Sequence, residues 1–316
     1  MKAISGARNR FLAAFTSELG INLIQFTFIG VIAVYTLTQR VFWMPDILGL
    51  LLAISFVLTG RGAAFIRDWL PFIFLLLAYD AFRGVADDLS GRVYFTEPIN
   101  AELAIFGFMP TFKLQELLYV PGQVQWYDNL FASTYVLHFF LPLLMGVWLW
   151  RRDRREYKSF VLTLLVLSYA GFLTFLAIPV APPWMAMRDG YLDQSAARIV
   201  FEVTSSLGAT QFPTLYGQMN PNPVAAFPSL HSAYPWLAFL FLVRHFRWWA
   251  LPVVLYPVSV WIMLVYSGEH YVVDVIGGVT YASVSYGLCA TSFLPRLWAL
   301  LLRRSANARP GDARGG

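Results

Sequence analysis

Cysteine, charge and histidine are all scarce in this sequence, and each scarcity closes off a class of protein. A single cysteine, Cys289, excludes an intramolecular disulfide and any cysteine-built metal cluster. Charged residues are 13% of the 316, about half the roughly 25% of a soluble domain, while 58% are hydrophobic. That leaves too little polar surface to cover a soluble fold, and the same apolar content excludes a disordered chain. There is no HExxH, no DxD-rich loop, no Cys/His cluster and no glycine-rich phosphate loop ahead of a helix. Neither a metal nor another cofactor is therefore expected. The net charge of +5 fits either nucleic acid or membrane. The apolar content selects membrane, with no nucleic-acid partner.

What is present is a series of long apolar runs. A bilayer core of about 30 Å needs roughly 20 mostly apolar residues per helix. Eight stretches qualify: 21–39, 43–60, 69–83, 130–150, 160–179, 229–246, 249–267 and 270–293. They predict an all-α, polytopic membrane protein of about eight transmembrane helices, the second and third short. The first follows Lys2, Arg8 and Arg10, but it is longer than the apolar part of a signal peptide and no small-residue cleavage site follows. It is expected to be retained. With both termini on one side, 17 Lys and Arg fall on that side and 6 on the other, which places the termini in the cytoplasm.

Two long segments, 84–129 and 180–228, fall on the outer side. The apolar runs AELAIFGFM and FKLQELLYV are too short to span and predict short helices lying on the outer surface, with Trp126 and Tyr127 as interface anchors. The second segment is rich in proline and holds an amphipathic stretch near 195–207. The basic run Arg151–Arg155 reads as a solvated loop beside anionic lipid. The chain divides into 1–129 (N-terminal helices and outer segment), 130–295 (the catalytic bundle) and 296–316 (a basic cytoplasmic tail).

Two of the four histidines stand in informative surroundings. His270, in SGEHYVVDVIGG, opens the last helix, and Asp274 lies one turn on along the same face. A carboxylate there accepts the Nδ1–H of the imidazole and leaves Nε2 as nucleophile or base. The plainer reading is a structural polar pair, but an ionisable pair within a membrane segment is costly and more often functional. His231, in AAFPSLHSAYP, sits where a proline-rich loop enters a helix, with Ser229 as N-cap. The helix end presents N–H groups to an anion such as phosphate, and the hydroxyls of Ser229 and Ser232 are candidate donors. Alone this is an ordinary helix start. Its weight comes from falling at the same depth and on the same side as His270 and Asp274.

The topology brings further groups to that plane: Trp184 of APPW, Arg188 after it, and Asp80 with Arg83. Arg83 and Arg188 are candidate phosphate cations because a guanidinium meets phosphate oxygens in pairs. Their plainer roles are a partner for Asp80 and a headgroup contact. His138 and Tyr271 are candidate lining residues, although an interior histidine is more often a packed one. Gly277 and Gly278 suit close helix packing.

PSLHSA, then HYVVD with 39 residues from His231 to His270, resembles the type 2 phosphatidic acid phosphatase superfamily. That family shows PSGH and a later SRxxxxxHxxxD. Here Leu230 replaces the glycine, Met263 and Leu264 stand in place of the serine and arginine, and the KxxxxxxRP motif is absent. APPW, FPSLHSA and HYxxDxxxG are similar to the inositolphosphotransferase branch of the inositol phosphorylceramide synthase type. The resemblance covers residues 130–293. It implies that His270 attacks phosphorus and forms a phosphohistidine, that Asp274 orients His270, and that His231 protonates the leaving oxygen and later deprotonates the acceptor.

The expectation is a metal-independent lipid phosphotransferase with a phospholipid donor and a lipid hydroxyl acceptor, its site on the extracytoplasmic face. With water as acceptor it is a lipid phosphate phosphatase. A transporter or flippase with a His/Asp relay is the rival of another class, but it predicts inverted repeats or paired broken helices that the sequence does not display. Compact loops suit a bacterial inner (plasma) membrane, with a Golgi-type membrane as the alternative.

Overall fold

A computed structural model describes residues 92–208 and 222–291, together with residues 64, 67–69, 71–75, 78 and 79. The stretches 21–39 and 43–60 and the tail 296–316 lie outside the described residues, and 69–83 is described only in part. Among the described residues there are helices and isolated bridges but no strand.

The elements run in this order: α1 (Thr96–Phe106), α2 (Pro110–Leu118), α3 (Trp126–Leu137), α4 (Leu141–Arg152), α5 (Arg154–Ala177), α6 (Pro183–Arg188), α7 (Ile199–Ser206), α8 (Leu230–Phe246), a 3-10 helix (Arg247–Val254), α9 (Leu255–Tyr266) and α10 (Val272–Ala290). Three helical runs are long and apolar enough to cross a membrane: Arg154–Ala177, Leu230–Tyr266 and Val272–Ala290. The pair α3 and α4 makes a fourth if it is one bent span. Eight spans is therefore more than the described residues display.

Three expectations need correction. The stretch 130–150 is not one helix but breaks by 55° between α3 and α4. Pro142 has no N–H to give the carbonyl of His138, and its ring crowds that carbonyl. The chain closes the gap with tighter bonds, His138 N–H to Tyr135 O at 3.1 Å and Phe140 N–H to Leu137 O at 3.1 Å. The stretch 249–267 likewise starts as a 3-10 helix containing Pro252 before α9 begins. The basic run is not a loop. Asp153 alone separates α4 from α5, capping α5 by accepting from the N–H groups of Arg155 (2.8 Å) and Glu156 (3.2 Å). Arg154 is held by Asp68 at 3.0 Å, which also accepts from the Trp150 indole at 2.9 Å.

The run Leu230–Tyr266 folds back on itself. Trp261 of α9 donates to the Ser232 carbonyl at the start of α8 at 3.2 Å, and its ring stands 5.7 Å from Trp236. Within a bilayer, lipid is as apolar as a leucine side chain, so helices associate through close packing and interhelical hydrogen bonds. The principal core lies between α4, α5, α8 and α10. There Phe160 and Phe241 meet edge to face at 5.2 Å, Tyr234 pairs with Ser168 at 2.9 Å, and Tyr281 pairs with Thr174 at 2.8 Å. A second core joins α3, α7 and α9.

The chain segments between the long helices are stitched at one point. Val180 bridges to both Tyr94 and Ala225, tying the chain before α1, the chain before α6 and the chain leading to α8. The runs expected to lie on the surface are α1 and α2, and the amphipathic stretch is α7. Gln115 of α2 clamps this layer, donating to Tyr266 O (2.6 Å) and Ala197 O (2.7 Å) and accepting from Ala197 N–H (2.8 Å).

Candidate active site

The site forms where α8 and α10 begin side by side. α9 ends at Tyr266, and Gly268 (φ +67) supplies the left-handed residue that a helix C-terminus favours. The N–H groups of Glu269 and His270 both return to Leu264 O, at 3.0 and 3.1 Å. This tight turn delivers His270 just ahead of α10. Asp274, in the first turn of α10, accepts the Tyr271 N–H at 2.9 Å, so its carboxylate is fixed by the helix end it caps. Its Oδ2 stands 3.4 Å from His270 Nδ1, a long contact of the kind that tightens when substrate binds. Asp274 is fully buried, and its other oxygen has no hydrogen-bond partner among the described residues.

His231 lies in the first turn of α8. Its Nδ1 is 3.0 Å from His270 Nε2. If Asp274 holds the proton of His270 Nδ1, then Nε2 is the acceptor and His231 Nδ1 donates to it. The two rings meet because nothing stands between their helices. A Cβ on Gly278 would lie 2.1 Å from Ser229 O and 2.2 Å from Ser232 Oγ, and one on Gly277 would lie 2.5 Å from the Phe227 ring. Ser229 N–H donates to the Asp274 carbonyl at 3.0 Å, pinning the start of α8 to the dyad's own backbone.

The other sequence candidates divide. His138 arrives through the break before α4. It is buried, its ring is 5.0 Å from that of His231 and nearly perpendicular to it, and its Nδ1 meets Tyr135 O. Ser229 and Ser232 are fully buried. Ser229 Oγ accepts the Ser232 N–H at 3.2 Å, and the Ser232 hydroxyl faces Ser229 O (2.8 Å) and Val275 O (3.2 Å). A hydroxyl has one proton to give. The Ser232 hydroxyl is therefore spent on backbone carbonyls, and the Ser229 oxygen caps the helix start. Tyr271 packs, fully buried, against Ile99, Met109 and Ala186 and does not line an open site. Arg188 is 59% exposed at its side chain and pairs with Asp189 at 2.6 Å, which holds the Asp189 carboxyl below its usual range. Trp184 donates its N–H to Gly268 O at 3.0 Å, and both Arg188 and Arg198 lie over its ring. Asp80 and Arg83 lie outside the described residues.

Two arrangements escaped the sequence reading. Arg198 binds Glu269, the neighbour of His270, in bidentate fashion (2.7 and 2.9 Å), and its guanidinium stands 3.9 Å from the centre of the Phe201 ring. Glu102 of α1 accepts the Val273 N–H at 3.0 Å. In a chain with so few charges, a carboxylate beside His270 and another inside the apolar run AELAIF were the available signals.

The chemistry this can perform is nucleophilic attack by a neutral imidazole with a second imidazole within proton-transfer reach. The family model of the PAP2 superfamily matches residues 106–288, a region that contains both histidines and Asp274. The chain is similar to the phosphoinositol dihydroceramide synthase of Bacteroides thetaiotaomicron, 27% identical over 226 residues, which is 69% of this chain and 74% of that protein. It is similar to inositolphosphotransferase 1 of Saccharomyces cerevisiae, 35% identical over 120 residues, 35% of this chain and 23% of that protein. It is also similar to the inositol phosphorylceramide synthase of Candida albicans, 26% identical over 168 residues, 51% of this chain and 35% of that protein. No solved structure matches. With the matched region covering more than half of the chain, the protein belongs to the PAP2 superfamily.

Proposed function

We propose that this protein is a membrane-embedded lipid phosphotransferase that moves an inositol-phosphate unit from a phospholipid to the hydroxyl of an acceptor lipid of the ceramide class. The observation that carries the reading is the 3.0 Å approach of His231 Nδ1 to His270 Nε2, with Asp274, in the first turn of α10, behind His270 just ahead of that helix. The names of the relatives supply the transferred inositol-phosphate unit and the ceramide-class acceptor, and a phospholipid bearing that unit is the donor class a membrane offers. His270 Nε2 attacks phosphorus, a P–N bond forms, the P–O bond to diacylglycerol breaks, and His231 gives its proton to the departing oxygen. The acceptor hydroxyl then returns a proton to His231 and attacks phosphorus, the P–N bond breaks, and both histidines are restored. The entering phosphoryl group displaces the hydrogen bond between the two rings. Asp274 faces the positive charge that the phosphohistidine carries, and the N-terminus of α8, with Arg83, offsets charge on the phosphoryl oxygens. No step requires a metal.

In this reading the bundle 130–295 is the catalytic unit, eight helices span a bacterial inner membrane, both termini are cytoplasmic and the site opens outward. Purified protein in nanodiscs with inositol-labelled phosphatidylinositol and dihydroceramide tests it. Label is expected on the sphingolipid, in EDTA as without it, and none with His270→Ala. Release of labelled inositol phosphate to water, with diacylglycerol formed but no labelled lipid product, would favour water as the acceptor, as in the phosphatase reading. No turnover on a broad panel of donors would sink the enzyme reading.

A further inference from the structure

Glu102 is a buried carboxylate in a helix with no evident need of one. It lies on α1, where Leu103 and Ile105 are exposed, yet Glu102 itself is 1% exposed. Its Oε1 accepts the N–H of Val273 at 3.0 Å. Val273 is the second residue of α10, so this N–H is one of the four that the helix cannot satisfy itself. One residue on, Asp274 takes the N–H of Tyr271. Two carboxylates from two elements thus close one helix end, and His270 sits immediately before that end.

The groups at the start of α10 that face Glu102 are the N–H groups of Val272 and Val273, the Asp274 carboxylate and the phenol of Tyr271 just before the helix. Among the described residues none of its partners is a cation. Burial, with the Asp274 charge adding to it, pushes the Glu102 carboxyl up to about 7. Either protonation state keeps an oxygen for Val273, so the contact survives across that range. A carboxylate used only to cap a surface helix needs neither deep burial nor a position beside a second carboxylate.

We propose that Glu102 is a positioning residue for the His270–Asp274 dyad: from the surface helix α1 it clamps the first turn of α10 and so fixes where Nε2 of His270 points. It also couples the dyad to the helix whose other face, at Leu103 and Ile105, is open to the surroundings. The inference rests on the phosphotransferase reading for its kinetic consequence but not for the clamp itself.

The test uses the full-length protein in nanodiscs as wild type, Glu102→Ala and Glu102→Gln, each normalised to folded protein by size-exclusion chromatography. kcat and KM for phosphatidylinositol are measured from pH 5.5 to 9, and amide hydrogen exchange is followed at residues 272–275. Glu102→Ala is expected to lower kcat about tenfold or more with KM within about twofold, since misplacing a reacting group by about 1 Å costs on this scale. Glu102→Gln keeps the acceptor oxygen and is expected to restore most of the rate. Exchange at Val273 should quicken in Glu102→Ala and stay near wild type in Glu102→Gln. A Glu102→Ala rate within twofold of wild type, a loss that Glu102→Gln does not restore, or a loss that only tracks folded yield, overturns the proposal. If the wild type itself transfers nothing, the functional reading has failed and the exchange data judge the clamp: unchanged exchange at Val273 in Glu102→Ala overturns it.

Discussion

Gly278→Ala adds one methyl group at the point where α8 and α10 touch, and its effect follows from the geometry. The new Cβ would stand 2.1 Å from the Ser229 carbonyl oxygen, where ordinary contact begins at 3.4 Å, so the two helices must part by about 1.3 Å. The obstacle is backbone, which no rotamer change removes. Carried to the histidines, the same displacement takes the 3.0 Å His231–His270 approach to about 4 Å, outside hydrogen-bond reach. A misplacement near 1 Å costs on the order of 100-fold in rate. Overpacking costs about 1–3 kcal/mol, and the better helix propensity of alanine returns about 1 kcal/mol. The variant should therefore fold while losing most of its kcat. Gly287 provides the control, being on the same helix with nothing within 4 Å of its Cβ position. Gly287→Ala should keep full activity. Transfer of labelled inositol phosphate to dihydroceramide, measured under saturating donor in nanodiscs, compares the two. A Gly278→Ala kcat within about threefold of Gly287→Ala would refute the argument that this contact sets the catalytic distance.

Asp274→Asn keeps an acceptor for the Tyr271 N–H but removes the charge behind His270, so kcat should fall by about 10²–10⁴ with little change in KM. Ser229→Ala should lower stability by about 1 kcal/mol, the usual worth of an N-cap, while leaving kcat within a few-fold; a loss near 100-fold would return Ser229 to the phosphate site. Glu102 also carries a pH signature in stability. Its folded carboxyl is raised from 4.5 to about 7, so its contribution is present below pH 4.5 and is lost as pH rises through about 7. Glu102→Gln cannot lose it, so the melting temperature of the variant relative to wild type should rise between pH 5 and pH 8, as differential scanning fluorimetry would show.

The dyad was legible because its information is local. Four residues of separation keep His270 and Asp274 together even though His270 lies just ahead of α10 and not on its face as expected, and Ser229 announces a helix start whatever the chain does elsewhere. The break at His138 was legible in principle through Pro142, but the hydropathy of 130–150 hid it, since an apolar window averages over a missing N–H. Glu102 with Val273, and Arg198 with Glu269, are separated by 171 and 71 residues, and no spacing rule reaches that far. The direction of the Ser232 hydroxyl was also beyond the sequence, because it depends on how closely α10 approaches, which Gly278 decides in three dimensions. Arg188 has its guanidinium taken by its neighbour Asp189, a local pairing that the sequence itself displays.

The account stands on His270 as the atom that takes the phosphoryl group. Purified protein is mixed with phosphatidylinositol labelled at phosphorus, with no acceptor lipid, and quenched in alkali, where a phosphorus–nitrogen bond survives. Peptide mapping by mass spectrometry then locates the label. The account predicts an acid-labile inositol-phosphate adduct on His270, absent in His270→Ala and discharged when dihydroceramide is added. Label on His231 or His138 instead, or transfer that persists in His270→Ala, would contradict it.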